Sequence, residues 1–366
     1  MSFYDAKKKY DGFDFNKFSA DITGTDIETI LAKETLSETD FLALLSPEAK
    51  KHIENIARKA NLTAAQHFGK SILLYAPLYV SNFCTNNCAY CGFSTNNNIK
   101  RKVLTFEEIE KNCKVVAGYG IRHILLLTGE SNTKTPIEYL KKCVEILRNY
   151  FESVDIEVYP LDENGYKLLG DCGADGLTVY QETYDEEIYK SLHTNGAKAD
   201  YAYRLETCER AGRAGYRNLN VGALLGLNDF VSEIFFAGLH AEYLQDTFPS
   251  AEIGMSFPRI RPAAGGFRPK TIITDSDIVQ AMCAVRLFIN RINLTVSTRE
   301  SRSLRNNLIP LGITKMSAAS STAVGGYAGK GSEGQFKIND TASVEEVKRM
   351  IYEKGYQPVL KDWLVF

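Results

Sequence analysis

The chain has 366 residues, 44% hydrophobic and 24% charged, a globular composition that argues against disorder and suits one large α/β barrel or two ordinary domains. Forty-three basic and 45 acidic residues leave a formal net charge of −2, so bulk electrostatics makes no case for binding nucleic acid or an anionic membrane. No stretch approaches the roughly 18 uninterrupted apolar residues of a membrane span, and the opening MSFYDAKKKYDGFDF lacks a signal peptide's apolar core, so a cytoplasmic protein is expected.

The first 70 residues, with segments such as DFLALLSPEAKKHIENIARKANLTAAQHF, read as a helical extension. From there short apolar runs alternate with longer amphipathic stretches, the pattern of βα units. Eight strands are predicted, at PLYVSN, HILLLTG, DIEVYP, GLTVYQ, LNVGALL, EIGMSF, NLTVST and ITKMSA. Thr105 and Glu108 form a capping box ahead of a helix whose buried stripe is Ile109, Cys113 and Val116. A second helix is predicted from Asp200 through Arg204 to Ala214, ended by Gly215. After residue 318 the chain turns glycine-rich (Gly325, Gly326, Gly329, Gly331, Gly334), a candidate lid, and finishes with a helix at 343–353 and an aromatic tail bearing Trp363. No glycine-rich dinucleotide fingerprint follows the first strand, so eight repeats point to a (β/α)8 TIM-type barrel with sites at the strands' C-terminal ends. The expected division is a helical extension over 1–70, the barrel over 71–320 and a C-terminal cap over 321–366.

Eight cysteines without a secretory context are small hydrophobes, nucleophiles or metal ligands. Cys84, Cys88 and Cys91 stand in C-x3-C-x2-C spacing just after the first strand, which random placement would give only about 0.004 times per chain. Three thiolates on one loop suit zinc or an iron–sulfur cluster. A closed zinc site needs a fourth ligand, for which His67 and His123 are the options, and an electron-carrying ferredoxin needs a fourth cysteine.

A cubane held by three cysteines leaves one iron open, and here the chain resembles radical S-adenosylmethionine (SAM) enzymes, whose motif is C-x3-C-x2-C with an aromatic residue, here Tyr90, before the last cysteine. The resemblance implies a 4Fe-4S cluster on Cys84, Cys88 and Cys91 and cleavage of SAM to methionine and a 5′-deoxyadenosyl radical. It also implies a SAM shell. Thr128, Gly129 and Glu130 match a GGE-like motif for the SAM amine, with an ordinary βα turn as the alternative. Arg204 matches an arginine for the SAM carboxylate, with a solvated helix-face arginine as the alternative. Leu225 and Gly226 fall in a small-residue stretch near adenine, Phe93 is expected against adenine, and Gln181 and Glu182 are placed for the ribose.

Further segments, GLTVYQETYDEE, VGALLGLND, SFPRIRPAAGG, LTVSTRESRSLRNNL, SSTAVGGY and KGYQPVLKDW, resemble the tyrosine lyases of thiazole biosynthesis from about residue 70 to the end. That branch implies L-tyrosine as substrate, cleavage to 2-iminoacetate and p-cresol, thiazole synthase as the recipient of the imine, and an electron donor such as flavodoxin or ferredoxin. Arg299, at the end of the seventh strand, is expected to take the substrate carboxylate; pairing with Glu300 or Glu130 is the structural alternative. Ser317 and Ser320 are expected to add hydroxyl donors, or to cap a helix. Tyr79 matches a substrate-contacting tyrosine of a related tryptophan lyase, or is core. The tyrosine lyases of iron-hydrogenase maturation are the nearest rival, another aromatic amino acid lyase a further one, and an iron–sulfur carrier or scaffold the alternative outside catalysis. Hydrogenase-maturation lyases carry extra C-terminal cysteines for a second cluster, whereas this chain has none after Cys283.

Overall fold

The structure, a computed structural model, describes residues 2–329 and 331–361; Trp363 in the aromatic tail lies outside the described residues. Eight parallel strands, β1 (Ser71–Ser81), β2 (His123–Thr128), β3 (Ser153–Glu157), β4 (Gly176–Glu182), β5 (Asn218–Ala223), β6 (Glu252–Ser256), β7 (Asn293–Val296) and β8 (Lys315–Ser317), run in sequence order. The barrel closes where β1 pairs with both β2 and β8, as in the registers Tyr79↔Leu127 and Leu74↔Met316. The strands alternate by period two. On β3, Val154 and Ile156 are buried towards the helices, whereas Asp155 and Glu157 line cavities within the barrel.

Three expectations are corrected. The first strand begins at Ser71, ahead of PLYVSN, because its lower residues pair with a ninth strand, β9 (Gln357–Val359), at Ser71↔Gln357 and Leu73↔Val359. That strand comes from the segment expected only to cap the barrel. The helix expected over 200–214 is two helices, Tyr201–Leu205 and Thr207–Arg213. Its Tyr203 carbonyl accepts from the Thr207 hydroxyl at 3.1 Å and the Arg210 guanidinium at 2.7 Å, side-chain competition that bends a helix.

Among the described residues six α-helices precede the barrel, and the last, Ile53–Phe68, packs on the barrel helix Asp275–Phe288. Phe41 stacks on Phe288 with ring centroids 4.5 Å apart, and Gln280 donates to the Leu44 and Ser46 carbonyls, so the extension is fastened by apolar area and by buried amide bonds. Among the described residues no helix is long and apolar enough to cross a membrane.

Candidate functional site

The cysteine loop leaves β1 at its C-terminal end, where a barrel keeps its chemistry. Arg101 fixes it from below, donating to the carbonyls of Asn82 (2.6 Å), Phe93 (2.7 Å) and Ser94 (2.6 Å). Asn82 is buried and bonds the Lys100 carbonyl and the Lys102 amide. The loop then crosses β2 so closely that a Cβ on Gly129 would overlap the Phe83 carbonyl oxygen, and the Thr85 amide donates to the Glu130 carbonyl at 2.9 Å. Gly129 is therefore required by backbone approach.

Burial raises the thiols of Cys84, Cys88 and Cys91, Cys88 to about 12, while the Lys198 ammonium acts against it. Amide donors point at the sulfurs: Asn86 Nδ2 lies 3.6 Å from Cys84 Sγ and Gln335 Nε2 lies 3.6 Å from Cys91 Sγ. Among the described residues no three His, Cys, Asp or Glu side chains are arranged to hold a single metal ion. His67 sits in the helix Ile53–Phe68, and His123 bonds Asp155 at 2.7 Å in a cavity lined by the strands' N-terminal residues, so neither of the expected zinc ligands approaches the cysteines. The other five cysteines are dispersed, four of them within barrel helices. Three soft donors with sulfur-directed N–H groups and an adjacent cation fit an anionic iron–sulfur cluster with one iron left to another ligand.

Beside the thiols lies an ionic layer. Arg204 is buried; its guanidinium meets Glu130 Oε1 at 3.0 Å, Glu182 Oε1 at 3.6 Å and the Tyr180 carbonyl at 2.9 Å. The solvated alternative for Arg204 is thereby corrected. Lys198 Nζ lies 2.5 Å from Glu182 Oε1, and Asn86 Nδ2 donates to Glu130 Oε2 at 2.8 Å. Glu182 holds a left-handed backbone, φ 71°, at a register shift between β4 and β5, a strained conformation retained where it serves a site. Tyr90 donates to His193 Nε2 at 2.7 Å, because His193 Nδ1–H is committed to the Tyr189 carbonyl at 2.8 Å. Burial lowers His193 to about 3, so the ring is neutral and accepts.

The cavity above encloses about 60 Å³ and brings together Tyr90, Cys91, Glu157, Glu182, Lys198 and Arg299. Arg299 stacks 3.4 Å over the Phe336 ring and donates weakly to the Arg259 carbonyl at 3.3 Å. Its expected structural partners are taken elsewhere: Glu300 by Arg259 and by Arg261 at 3.0 Å, and Glu130 by Arg204. Tyr79 is buried, bonds Gln335 Oε1 at 2.8 Å and meets Phe93 edge to face. Burial pushes Glu157 up to about 7, with Arg299 the largest opposing influence.

Several expected residues sit less directly. Gln181 does not line this cavity; its amide reaches the Tyr201 carbonyl at 3.5 Å, on the helix side of β4. The Leu225 amide and carbonyl are bonded to Pro258 and Ile260, and the Gly226 carbonyl to Lys270 and Thr271, so their polar backbone groups serve the loop. Ser317 accepts from the Thr298 amide at 3.1 Å. Ser320, in a cleft that shares Phe336, and Thr128 have buried hydroxyls with no partner among the described residues. Neither serine caps a helix.

Sequence reasoning missed Glu157, Lys198, His193, Asn86 and Gln335. Only Glu157 left a signal, an acid alternating with apolar residues in DIEVYP.

This closed parallel barrel, with three cysteines on the β1 loop and an ionic layer beside them, has the architecture of the radical SAM class. Residues 78–234 match the Radical SAM superfamily, and residues 256–357 match the Biotin and Thiamin Synthesis associated domain. The chain is 41% identical over 343 residues to the 2-iminoacetate synthases of Salmonella typhimurium and Escherichia coli, covering 93% of this chain and 91% of each relative. The X-ray structure of the FeFe-hydrogenase maturase HydG from Carboxydothermus hydrogenoformans superposes with a TM-score of 0.86 at 29% identity, covering 98% of this chain and 82% of that one. The chain belongs to the 2-iminoacetate synthase family of radical SAM enzymes. Membership implies a 4Fe-4S cluster and SAM, which the cysteine loop fits.

Proposed function

We propose that the protein is a carbon–carbon lyase that cleaves the Cα–Cβ bond of L-tyrosine to 2-iminoacetate and p-cresol, consuming SAM to methionine and 5′-deoxyadenosine. The observation that carries this reading is the placement of the Arg299 guanidinium, without a carboxylate partner among the described residues, in the same cavity as Cys91. A planar carboxylate matches that fork, and the Phe336 ring holds the fork in one orientation.

When bound, the cluster and SAM supply a 5′-deoxyadenosyl radical. Cys84, Cys88 and Cys91 would hold the cluster, with Lys198 and the amides of Asn86 and Gln335 offsetting its charge. Glu130, Glu182, Lys198 and Arg204 form the polar wall for SAM, and Phe93 an apolar surface. Thr128 Oγ1 has no partner among the described residues and is placed to accept one from SAM. Arg299 orients the substrate, Tyr79 walls the barrel side, and Ser317 and Ser320 lie at and beyond the end of β8, Ser320 offering its hydroxyl. The enclosing aromatic and aliphatic residues Tyr180, Leu224, Ile260 and Phe336 keep water from the reacting bond.

The imine is expected to pass to thiazole synthase, with electrons arriving from a flavodoxin or ferredoxin. The likeness to a hydrogenase maturase favours a second reading, in which the imine is processed onward. Identity supports the synthase reading, at 41% to the 2-iminoacetate synthases against 29% to that maturase. Reconstituted protein given SAM, reductant and L-tyrosine should yield glyoxylate from hydrolysed imine and no cyanide. Cyanide would favour the maturase chemistry, and turnover of tryptophan in preference to tyrosine would replace the substrate.

A further inference from the structure

Resting on the tyrosine-lyase reading, we propose that Glu157 is the receptor for the α-ammonium group of the amino-acid substrate. A free amino acid is a zwitterion with both charges on one carbon, so its site needs a cation and an anion as neighbours, facing the same space. Arg299 and Glu157 line one cavity, and among the described residues neither forms an ion pair.

The other acidic groups near the barrel mouth are already engaged. Glu130 is held by Arg204 and Asn86, Glu182 by Lys198 and Arg204, and Glu300 by Arg259 and Arg261. Glu157, among the described residues, has neither a side-chain hydrogen bond nor an ion pair, although it lies within the barrel at the end of β3. A carboxylate in such a place is costly unless a cation meets it, and a bound ammonium removes that cost with a charge-assisted hydrogen bond. The two-residue strand period carries it there: Asp155 and Glu157 point into the lumen, but Asp155 is at the far end with His123 and Lys315, leaving Glu157 as the acid that β3 presents at the reacting end. An ammonium held at Glu157 and a carboxylate held at Arg299 together fix the α-carbon near Cys91.

The test is ligand binding to the cluster-loaded protein with SAM, measured by equilibrium dialysis of L-tyrosine and of 3-(4-hydroxyphenyl)propanoate, which lacks the amino group. Wild type binding neither ligand would remove the tyrosine reading, and the Glu157 role with it. If wild type binds tyrosine, Glu157→Gln should weaken it by about tenfold or more while leaving the deamino acid within about twofold. Retained binding of the deamino acid also reports that the variant's cavity is folded. Glu157→Asp should recover part of the tyrosine affinity. Unchanged tyrosine binding in Glu157→Gln, or equal loss of both ligands, would overturn the assignment.

Discussion

Gln335 ties the Tyr79 hydroxyl to the cysteine loop: its Oε1 accepts from Tyr79 at 2.8 Å and its Nε2 points at Cys91 Sγ from 3.6 Å. One amide from the C-terminal glycine-rich segment thus joins the first barrel strand to a cluster ligand. Gly92 is part of the same contact, since a Cβ there would overlap the Gln335 carbonyl oxygen. Gln335→Leu removes a donor to thiolate sulfur, which lowers a cluster's reduction potential. Redox titration followed by electron paramagnetic resonance should show a more negative midpoint with iron content unchanged. An unaltered midpoint would mean that the amide serves only Tyr79.

The three loop cysteines should behave differently from the other five. Cys84→Ser, Cys88→Ser and Cys91→Ser are each expected to abolish stable iron loading. Alanine at Cys113, Cys143, Cys172, Cys208 or Cys283 should leave iron and sulfide per chain unchanged, with the buried positions costing only packing. Metal analysis after anaerobic reconstitution decides this.

Arg299→Lys keeps the charge but loses the planar fork and its stacking on Phe336. The expected drop in kcat/KM for tyrosine is about a hundredfold, or ~2.7 kcal/mol, with iron content and SAM binding unchanged. Steady-state kinetics at wild-type activity would take Arg299 out of the site.

Arg204→Lys should act on SAM instead. A single ammonium cannot reach Glu130, Glu182 and the Tyr180 carbonyl together, so two buried acids lose part of their compensation. SAM affinity is expected to fall by about tenfold and the melting temperature to drop. Dialysis with labelled SAM and a thermal melt check both.

The lower end of the barrel sets an acid limit on stability. Burial alone would raise the Asp155 carboxyl, but His123 and Lys315 hold it below its ordinary value of 3.8. Because the folded value is the lower one, this contribution is complete above the unfolded value and is lost as pH falls through the folded one. Asp155→Asn should destabilise the fold at pH 7 by about 3 kcal/mol and flatten the acid side of the stability profile. Urea denaturation across pH measures it.

The barrel was readable because its βα units carry local signals: short apolar runs, capping residues such as Thr105, and the C-x3-C-x2-C loop. What escaped is non-local. His193 ends the helix Glu186–Leu192 and Lys198 sits in the short 3-10 turn Ala197–Ala199, and both gain meaning only where they meet Tyr90 and Glu182. Gln335 is 244 residues from Cys91. The ninth strand was missed because Gln357–Val359 is too short to announce itself and exists only by pairing with β1. Gln181 was misdirected for the opposite reason, since it neighbours the cavity-lining Tyr180 and Glu182 while turning to the far face of the strand.

The most direct measurement is anaerobic turnover of the cluster-loaded protein with SAM, reductant and L-tyrosine, following p-cresol and 5′-deoxyadenosine by mass spectrometry. Both should appear together, and only when tyrosine is present. Deoxyadenosine without p-cresol would contradict the tyrosine assignment while keeping the radical chemistry. Neither product from protein with an intact cluster would leave an iron–sulfur carrier as the better description.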